Sequence, residues 1–458
     1  MLQIQQGPAA RNCKGVSRRT ALKAGFLGLC GLTLPDLLRL RATGSAEKKD
    51  TAVILLWLDG GPSQLETYDP KPDAPADYRG PYKAIQTKVP GVLVNELLPN
   101  HARHMDKMVL VRSLHHDNGD HFAAAHWMLT GRFGSSAASM AQKYPSVGSY
   151  AARARGANAP GIPAYVGLPA AESVYLFPGY MGAAYLGPTY NPFDVDREQK
   201  YLAANSKVHI GRPKILDNFS QGKAGNLESR KDLLASFDKV RRDLDTSGTM
   251  DALDRYQQEA LNMILGGKAR HAFDLTKEPY RLRDRYGQGP WGQYTLMARR
   301  LVEAGVTFVT VDMPNWDDHS SIKDGHGYKL PPVDMAVGAL LDDLTERGLL
   351  DRVLVVVMGE FGRTPKINTG QPGIPVPGRD HWGNAISAML AGGGLKGGQV
   401  VGRTNAKAEH PAERALKPAD LLATVYHVLG IDPTQTFKDH TGRPVPVLDE
   451  GKAIEEVI

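Results

Sequence analysis

Ala52-Val53-Ile54-Leu55-Leu56-Trp57-Leu58-Asp59-Gly60-Gly61-Pro62-Ser63 decides the architecture. Its apolar residues run unbroken from Ala52 to Leu58, then give way to an acid, two glycines and a proline. A strand with one wet face would alternate apolar and polar residues, so an unbroken run reads as a strand buried on both faces. Met108 to Val111, Val306 to Val311 and Val353 to Met358 read the same way. Helical patterns lie between these runs. Tyr294 to Ala304 leads into the third, and Asp334 to Arg347 leads into the fourth after Gly348. Pro418 to Leu429 opens with a proline in its first turn and closes at Gly430, as helices prefer. Alternating helices and buried strands give an α/β class, a mostly parallel central sheet with helices on both faces.

Other stretches depart from this pattern. From about 165 to 225 the chain is rich in Gly, Pro, Tyr and Asn and reads as irregular structure or a cap. Leu227 to Leu265 reads as a charged amphipathic helical pair broken near Ser247-Gly248. Residues 165–290 are therefore expected as a largely helical and irregular insertion in an α/β domain spanning 47–458. The sequence has no internal repeat, and no segment after the first 46 residues is apolar and long enough to cross a membrane.

Those first 46 residues read as a twin-arginine export leader. Ser17-Arg18-Arg19-Thr20-Ala21-Leu22-Lys23 forms the charged front, and Ala24 to Leu34 is an apolar stretch of about 11 residues, too short to span a bilayer of roughly 30 Å. Gly44-Ser45-Ala46 is a plausible peptidase site. The leader holds seven basic residues and one acid, so removing it from the chain's 55 basic and 49 acidic residues leaves 48 of each. The excess positive charge belongs to the leader and gives no basic footprint for nucleic acid. Cys13 and Cys30 leave with it, and a mature chain without cysteine has no disulfide, thiolate metal site or cysteine nucleophile. The expected location is periplasmic or otherwise extracytoplasmic, with the twin-arginine translocation machinery as a partner and membrane contact only through an uncleaved leader.

The strongest strands end in polar clusters, where ligands of open parallel sheets gather. The first runs into Asp59-Gly60-Gly61-Pro62-Ser63, the third into Asp312-Met313-Pro314-Asn315-Trp316-Asp317-Asp318-His319, and the fourth into Gly359-Glu360-Phe361-Gly362-Arg363-Thr364-Pro365. Gly378-Arg379-Asp380-His381-Trp382 follows a Gly/Pro-rich loop and precedes another apolar run. One Asp after a strand is most often a turn or cap residue. Several carboxylates and imidazoles at one sheet edge are a different matter, since the carboxylates repel unless cations lie between them. Imidazole with carboxylate is an oxygen/nitrogen donor set for Zn²⁺, Mn²⁺ or related ions.

These pieces resemble the alkaline-phosphatase-like superfamily of phosphatases, sulfatases and phosphomutases. More narrowly, they resemble the bacterial sulfatase-like family called domain of unknown function 1501. The resemblance rests on Leu58-Asp59-Gly60-Gly61-Pro62-Ser63-Gln64-Leu65-Glu66-Thr67-Tyr68-Asp69-Pro70-Lys71-Pro72, His126-Trp127-Met128-Leu129-Thr130-Gly131-Arg132, Trp316-Asp317-Asp318-His319 and the two clusters around Glu360 and His381. It implies one or two divalent ions (Zn, Mn or Ca), with Asp317 and His319 on the first, Asp59 on the second, and Glu360 in an aspartate's place. His381 completes the first site, and Asp380 substitutes for it or orients it. Arg363 and Arg379 are candidates for gripping a phosphate or sulfate group, because guanidinium binds such groups bidentately. Pairing with nearby carboxylates is their other reading.

Two positions depart from the superfamily pattern. Phe361 stands where a metal-binding histidine is expected. Counting back from Leu129-Thr130-Gly131 places His121 at the nucleophile position, where the superfamily has Ser, Thr or Cys. His121 is thus the catalytic candidate, as nucleophile or as the missing metal nitrogen beside a metal-activated water. Ser63 and Thr67 lie beyond Asp59, where the superfamily does not put its nucleophile. The expected function is an exported metal-dependent hydrolase of phosphate or sulfate esters, with a small molecule or glycan ester as substrate. The alternative is a non-catalytic binding protein on the same fold for sulfated or phosphorylated glycans.

Overall fold

Eight strands build the central sheet of this computed structural model, which describes residues 50–134, 142–171, 180–199, 202–206, 210, 211, 213 and 267–458. In chain order they are β1 (Ala52–Trp57), β2 (Met108–Leu114), β3 (Tyr165–Leu168), β4 (Phe193–Asp194), β5 (Phe308–Asp312), β6 (Val353–Met358), β7 (Ile386–Gly392) and β8 (Gln399–Val401). Across the sheet they stand in the order β8-β2-β7-β6-β1-β5-β3-β4. The central strand β1 pairs parallel with β5, Trp57 opposite Asp312, and with β6, Trp57 opposite Met358. Strand β7 alone runs antiparallel, to both β6 and β2. The remaining neighbours are parallel.

The unbroken apolar runs are explained by two core layers. Ala52, Ile54 and Leu56 of β1 face one layer, and Val53, Leu55 and Trp57 face the other, as the two-residue period of a strand requires. Helices α1 (Pro99–His104), α4 (Pro290–Ala304) and α5 (Ile322–Glu346) pack on the first side. Helices α2 (His121–Thr130), α3 (Val147–Arg155) and α6 (Pro418–Leu429) pack on the second. Helix α4 is buried along almost its whole length, opens with Pro290 at its first turn and ends at Gly305, where φ is +114°.

All four apolar runs form sheet strands, and α6 has the expected bounds. Helix α5 starts at Ile322 instead of Asp334, because it runs through Pro331-Pro332. Proline usually marks a helix boundary, so the pattern was legible only beyond it. The stretch beginning at 165 opens inside the sheet, since β3 and β4 extend its far edge beyond β5. Only the part from 267 onward adds helices before α4 among the described residues of its second half. The twin-arginine leader and the helical pair expected at 227–265 lie outside the described residues. In the tail, Thr436–Lys438 and Pro444–Pro446 form an antiparallel hairpin closed around Asp439.

Candidate metal centre

The carboxyl ends of β1, β5 and β6 converge because the three strands are adjacent and parallel. Beyond β1, the chain turns through Gly60 and Gly61, with φ of +112° and +82°. A Cβ on Gly60 would stand 2.7 Å from the Asp317 backbone nitrogen, and one on Gly61 would stand 2.3 Å from the Phe361 ring. Glycine at both positions lets the three loops close on one another.

Asp317 lies at the centre. Its Oδ1 is 3.0 Å from His319 Nε2, 2.9 Å from His381 Nε2 and 2.7 Å from Arg363 Nη2, and its Oδ2 is 3.4 Å from His121 Nε2. The far nitrogen of each ring is also engaged. His121 Nδ1 meets Glu360 Oε1 at 2.7 Å, His319 Nδ1 meets Asp380 Oδ1 at 2.7 Å, and His381 Nδ1 meets the Gly119 carbonyl at 2.7 Å. A carboxylate or carbonyl only accepts, so each Nδ1 carries the hydrogen and, in the neutral ring, each Nε2 keeps its lone pair. Three lone pairs then face one carboxylate, an arrangement that needs a proton or a cation between them.

The electrostatics agree. Burial alone would depress the His121 pKa, but its hydrogen bonds to Asp317 and Glu360 outweigh burial and hold it at about 10. His319 is raised chiefly by its bond to Asp317. Burial would lift Asp317, yet the three imidazoles and Arg363 hold it well below the carboxylate range. Among the described residues, ligand atoms of His121, Asp317 and His381 lie within 4.8 Å of one another, close enough to share one ion. The donor set, imidazole nitrogens with one carboxylate, fits a divalent metal of the zinc type. Its members are 15–24% exposed, so the cluster opens to solvent.

Several expected residues have other surroundings. Asp59 is fully buried at the end of β1, where Trp57 Nε1 approaches its Oδ1 at 3.3 Å, and it lies outside the close group of ligand atoms. Glu360 is fully buried, accepts from the Gly60 amide and orients His121. Asp380 orients His319 instead of His381. Phe361 stacks on His381, with centroids 4.4 Å apart, and offers no ligand atom to the cluster. Ser63 Oγ is tied to Glu66, and Thr67 Oγ1 donates to the Ser63 carbonyl, so neither hydroxyl serves the cluster.

Of the two readings for the arginines, the structure shows the pairing with nearby carboxylates, Arg363 with Asp317 and Arg379 with Glu66. Arg379 is wholly buried and spends its guanidinium on Glu66 and the Thr364, Pro365 and Tyr78 carbonyls. Arg363 is equally buried and donates to the Gly60, Gly61, Trp316 and Arg379 carbonyls and to Asp317. Neither presents its fork to a ligand. They brace the loops, and the sequence showed their charge but not the carbonyls that consume it. Sequence reasoning also missed the Gly119 carbonyl, which carries no side-chain signal, and the buried partners of Asp318, for which the Asp317-Asp318 doublet was the only hint.

A model of the family described as a protein of unknown function, DUF1501, matches residues 50–458. The chain belongs to that family. No curated protein matches this DUF1501 member by sequence. Among solved structures, it is similar to an alkaline phosphatase from the Antarctic bacterium TAB5 (14% identity, 83% of this chain and 98% of that one, TM-score 0.35). It is likewise similar to the PsFucS1 sulfatase from Pseudoalteromonas sp. (13% identity, 89% and 72%, TM-score 0.38) and to the lipoteichoic acid synthase LtaP from Listeria monocytogenes (12%, 88% and 75%, TM-score 0.39). Likenesses at this level carry no weight for the chemistry, which rests on the residues of the DUF1501 chain itself.

Proposed function

We propose that this protein is an exported, metal-dependent hydrolase of phosphate or sulfate esters. The observation that carries the reading is the orientation of His121, His319 and His381. Each is fixed through Nδ1 by an acceptor and turns Nε2 toward the Asp317 carboxylate. His121, Asp317 and His381, whose ligand atoms lie within 4.8 Å of one another, would hold the ion, with His319 Nε2, 3.0 Å from Asp317 Oδ1, as a further donor beside them. A bound divalent cation supplies Lewis acidity toward an ester oxygen and lowers the pKa of water toward about 7.

The chain's own groups set the rest. Glu360, Asp380 and the Gly119 carbonyl fix which ring nitrogen faces inward, a device that raises imidazole basicity as a ligand. Arg363 holds the Asp317 carboxylate in place. Partial exposure of the cluster gives an ester a route to it. The leader read at residues 1–46 supports work outside the cytoplasm after passage through the twin-arginine machinery.

Phe361 on His381 and the engaged hydroxyls of Ser63 and Thr67 favour one second reading, a binding protein for sulfated or phosphorylated glycans. One experiment separates them. The protein is expressed with Zn²⁺, Mn²⁺ and Ca²⁺, its metal content is measured, and a panel of aryl phosphates and sulfates is assayed. Bound metal with turnover, both lost in His319→Ala and Asp317→Asn, is the expected result. Bound metal and ligand affinity without turnover would leave the binding reading standing, and a metal-free protein would sink the metal centre.

A further inference from the structure

Asp318 separates the two ligands Asp317 and His319 in sequence, but its side chain goes the other way, into the protein. Its carboxylate is 12% exposed and meets two groups from the first turns of α5. Lys329 Nζ stands 2.8 Å from both of its oxygens, and His326 Nδ1 stands 2.7 Å from Oδ2. Lys329 also donates to the Asn315 carbonyl, where the loop turns through φ of +77°. A Cβ on Gly325 would lie 2.3 Å from Asp318 Oδ1, so the helix leaves room for the carboxylate there.

The chain of contacts continues into the other ligand-bearing loops. His326 Nε2 accepts from the Ser63 amide at 3.1 Å, in the turn that follows Asp59. Ser63 Oγ reaches Glu66, and Glu66 pairs with Arg379 at 2.8 Å. The Arg379 amide returns to the Asp318 carbonyl at 3.1 Å, and Arg379 precedes Asp380 and His381. Lys329 and His326 are both fully buried, and neither touches the cluster of ligand atoms. A buried ion pair adds little net stability over an apolar replacement, because desolvation offsets the attraction. What this pair supplies is geometry.

We propose that Lys329 and His326 are positioning residues of the metal centre: through Asp318 they fix the 313–319 loop so that Asp317 and His319 face His381. This inference rests on the metal-centre reading above. Losing the hold lets Asp318 turn outward and carry its neighbours with it. Removing an outer partner of a metal ligand typically costs about 10- to 100-fold in metal affinity, and the same range applies here.

The test is Zn²⁺ titration of chelator-stripped protein in competition with a chromophoric chelator, beside urea unfolding of the same samples. Lys329→Met is expected to bind Zn²⁺ at least about tenfold more weakly than wild type. The comparator is Arg299→Met, which removes from α4 a buried guanidinium paired with Glu278 and with Asp343 of α5. It is expected to lose stability and keep wild-type affinity. An independent pair guards against misfolding of the lysine variant: His326→Ala should weaken binding, and His326→Gln, whose amide can donate to Asp318, should restore most of it. Wild-type affinity in Lys329→Met and His326→Ala, or an equal loss in Arg299→Met, overturns the proposal. Absence of Zn²⁺ binding by the wild-type protein overturns the metal centre itself.

Discussion

Replacing Arg363 by methionine separates a brace from a ligand-gripping residue. The guanidinium is wholly buried, and its five hydrogen-bond partners are the Gly60, Gly61, Trp316 and Arg379 carbonyls and the Asp317 carboxylate. Methionine fills most of the volume but donates to none of them. Four neutral acceptors at about 1 kcal/mol each and a charged one at about 2 kcal/mol bring the loss to about 6 kcal/mol. That is a large share of the about 5–15 kcal/mol by which domains are stable. The assay is urea unfolding, followed in parallel by tryptophan fluorescence and far-ultraviolet circular dichroism, so that a single transition can be verified. The expected outcome is a protein unfolded in buffer or one weakened by several kcal/mol. A variant within about 1 kcal/mol of wild type that had lost only affinity for anions would refute the reasoning and restore the substrate-gripping role.

Three further outcomes follow from the structure. Burial holds His126 down at about 4, against the ordinary 6.5, so between those values the unfolded chain takes a proton that the folded protein excludes. The His126 contribution to stability is therefore flat above pH 6.5 and falls as pH drops toward 4, by up to about 3 kcal/mol, and His126→Gln should remove that part of the fall in urea titrations run at pH 7.5 and 4.5. Asp380→Asn, at a side chain 54% exposed, should weaken Zn²⁺ about tenfold through His319 while leaving the urea midpoint unchanged; an unchanged Zn²⁺ affinity would contradict the assigned role of Asp380. Gly61→Ala places a Cβ 2.3 Å from the Phe361 ring at a φ of +82°, and thermal melting should show a loss of at least about 2 kcal/mol.

How much of this was legible depends on the physics each part obeys. The long strands β1, β5 and β6 announced themselves because burial on both faces demands an unbroken apolar run. Strands β3, β4 and β8 did not, being two to four residues long at or near the sheet's edges, where composition constrains little. For the site, Asp317, His319 and His381 stood out by chemical type at strand and loop ends. Their mutual arrangement was another matter. That Asp380 serves His319, or that Gly119 serves His381, depends on distances between segments far apart in the chain. The arginines show the same limit in reverse. A charged residue beside ligands looks available until the backbone carbonyls around it are located.

The reversed direction of β7 has a consequence for how the centre is assembled. In the strands parallel to β1, the residues after the strand reach the ligand edge. At β7 it is the residues before the strand that reach it, which is why His381 arrives from the chain entering at Ile386 while Gly392 departs from the opposite edge. The position of His381 is therefore set by the pairing of β7 against β6, Met389 beside Val357 and Leu390 beside Val356, together with its own antiparallel pairing with Arg363. A two-residue slip of that pairing would preserve every inward-facing side chain of the strand and still carry His381 about 7 Å along it. The alignment of one antiparallel strand thus acts as a ruler for the metal centre, since it fixes how far His381 stands along the ligand edge.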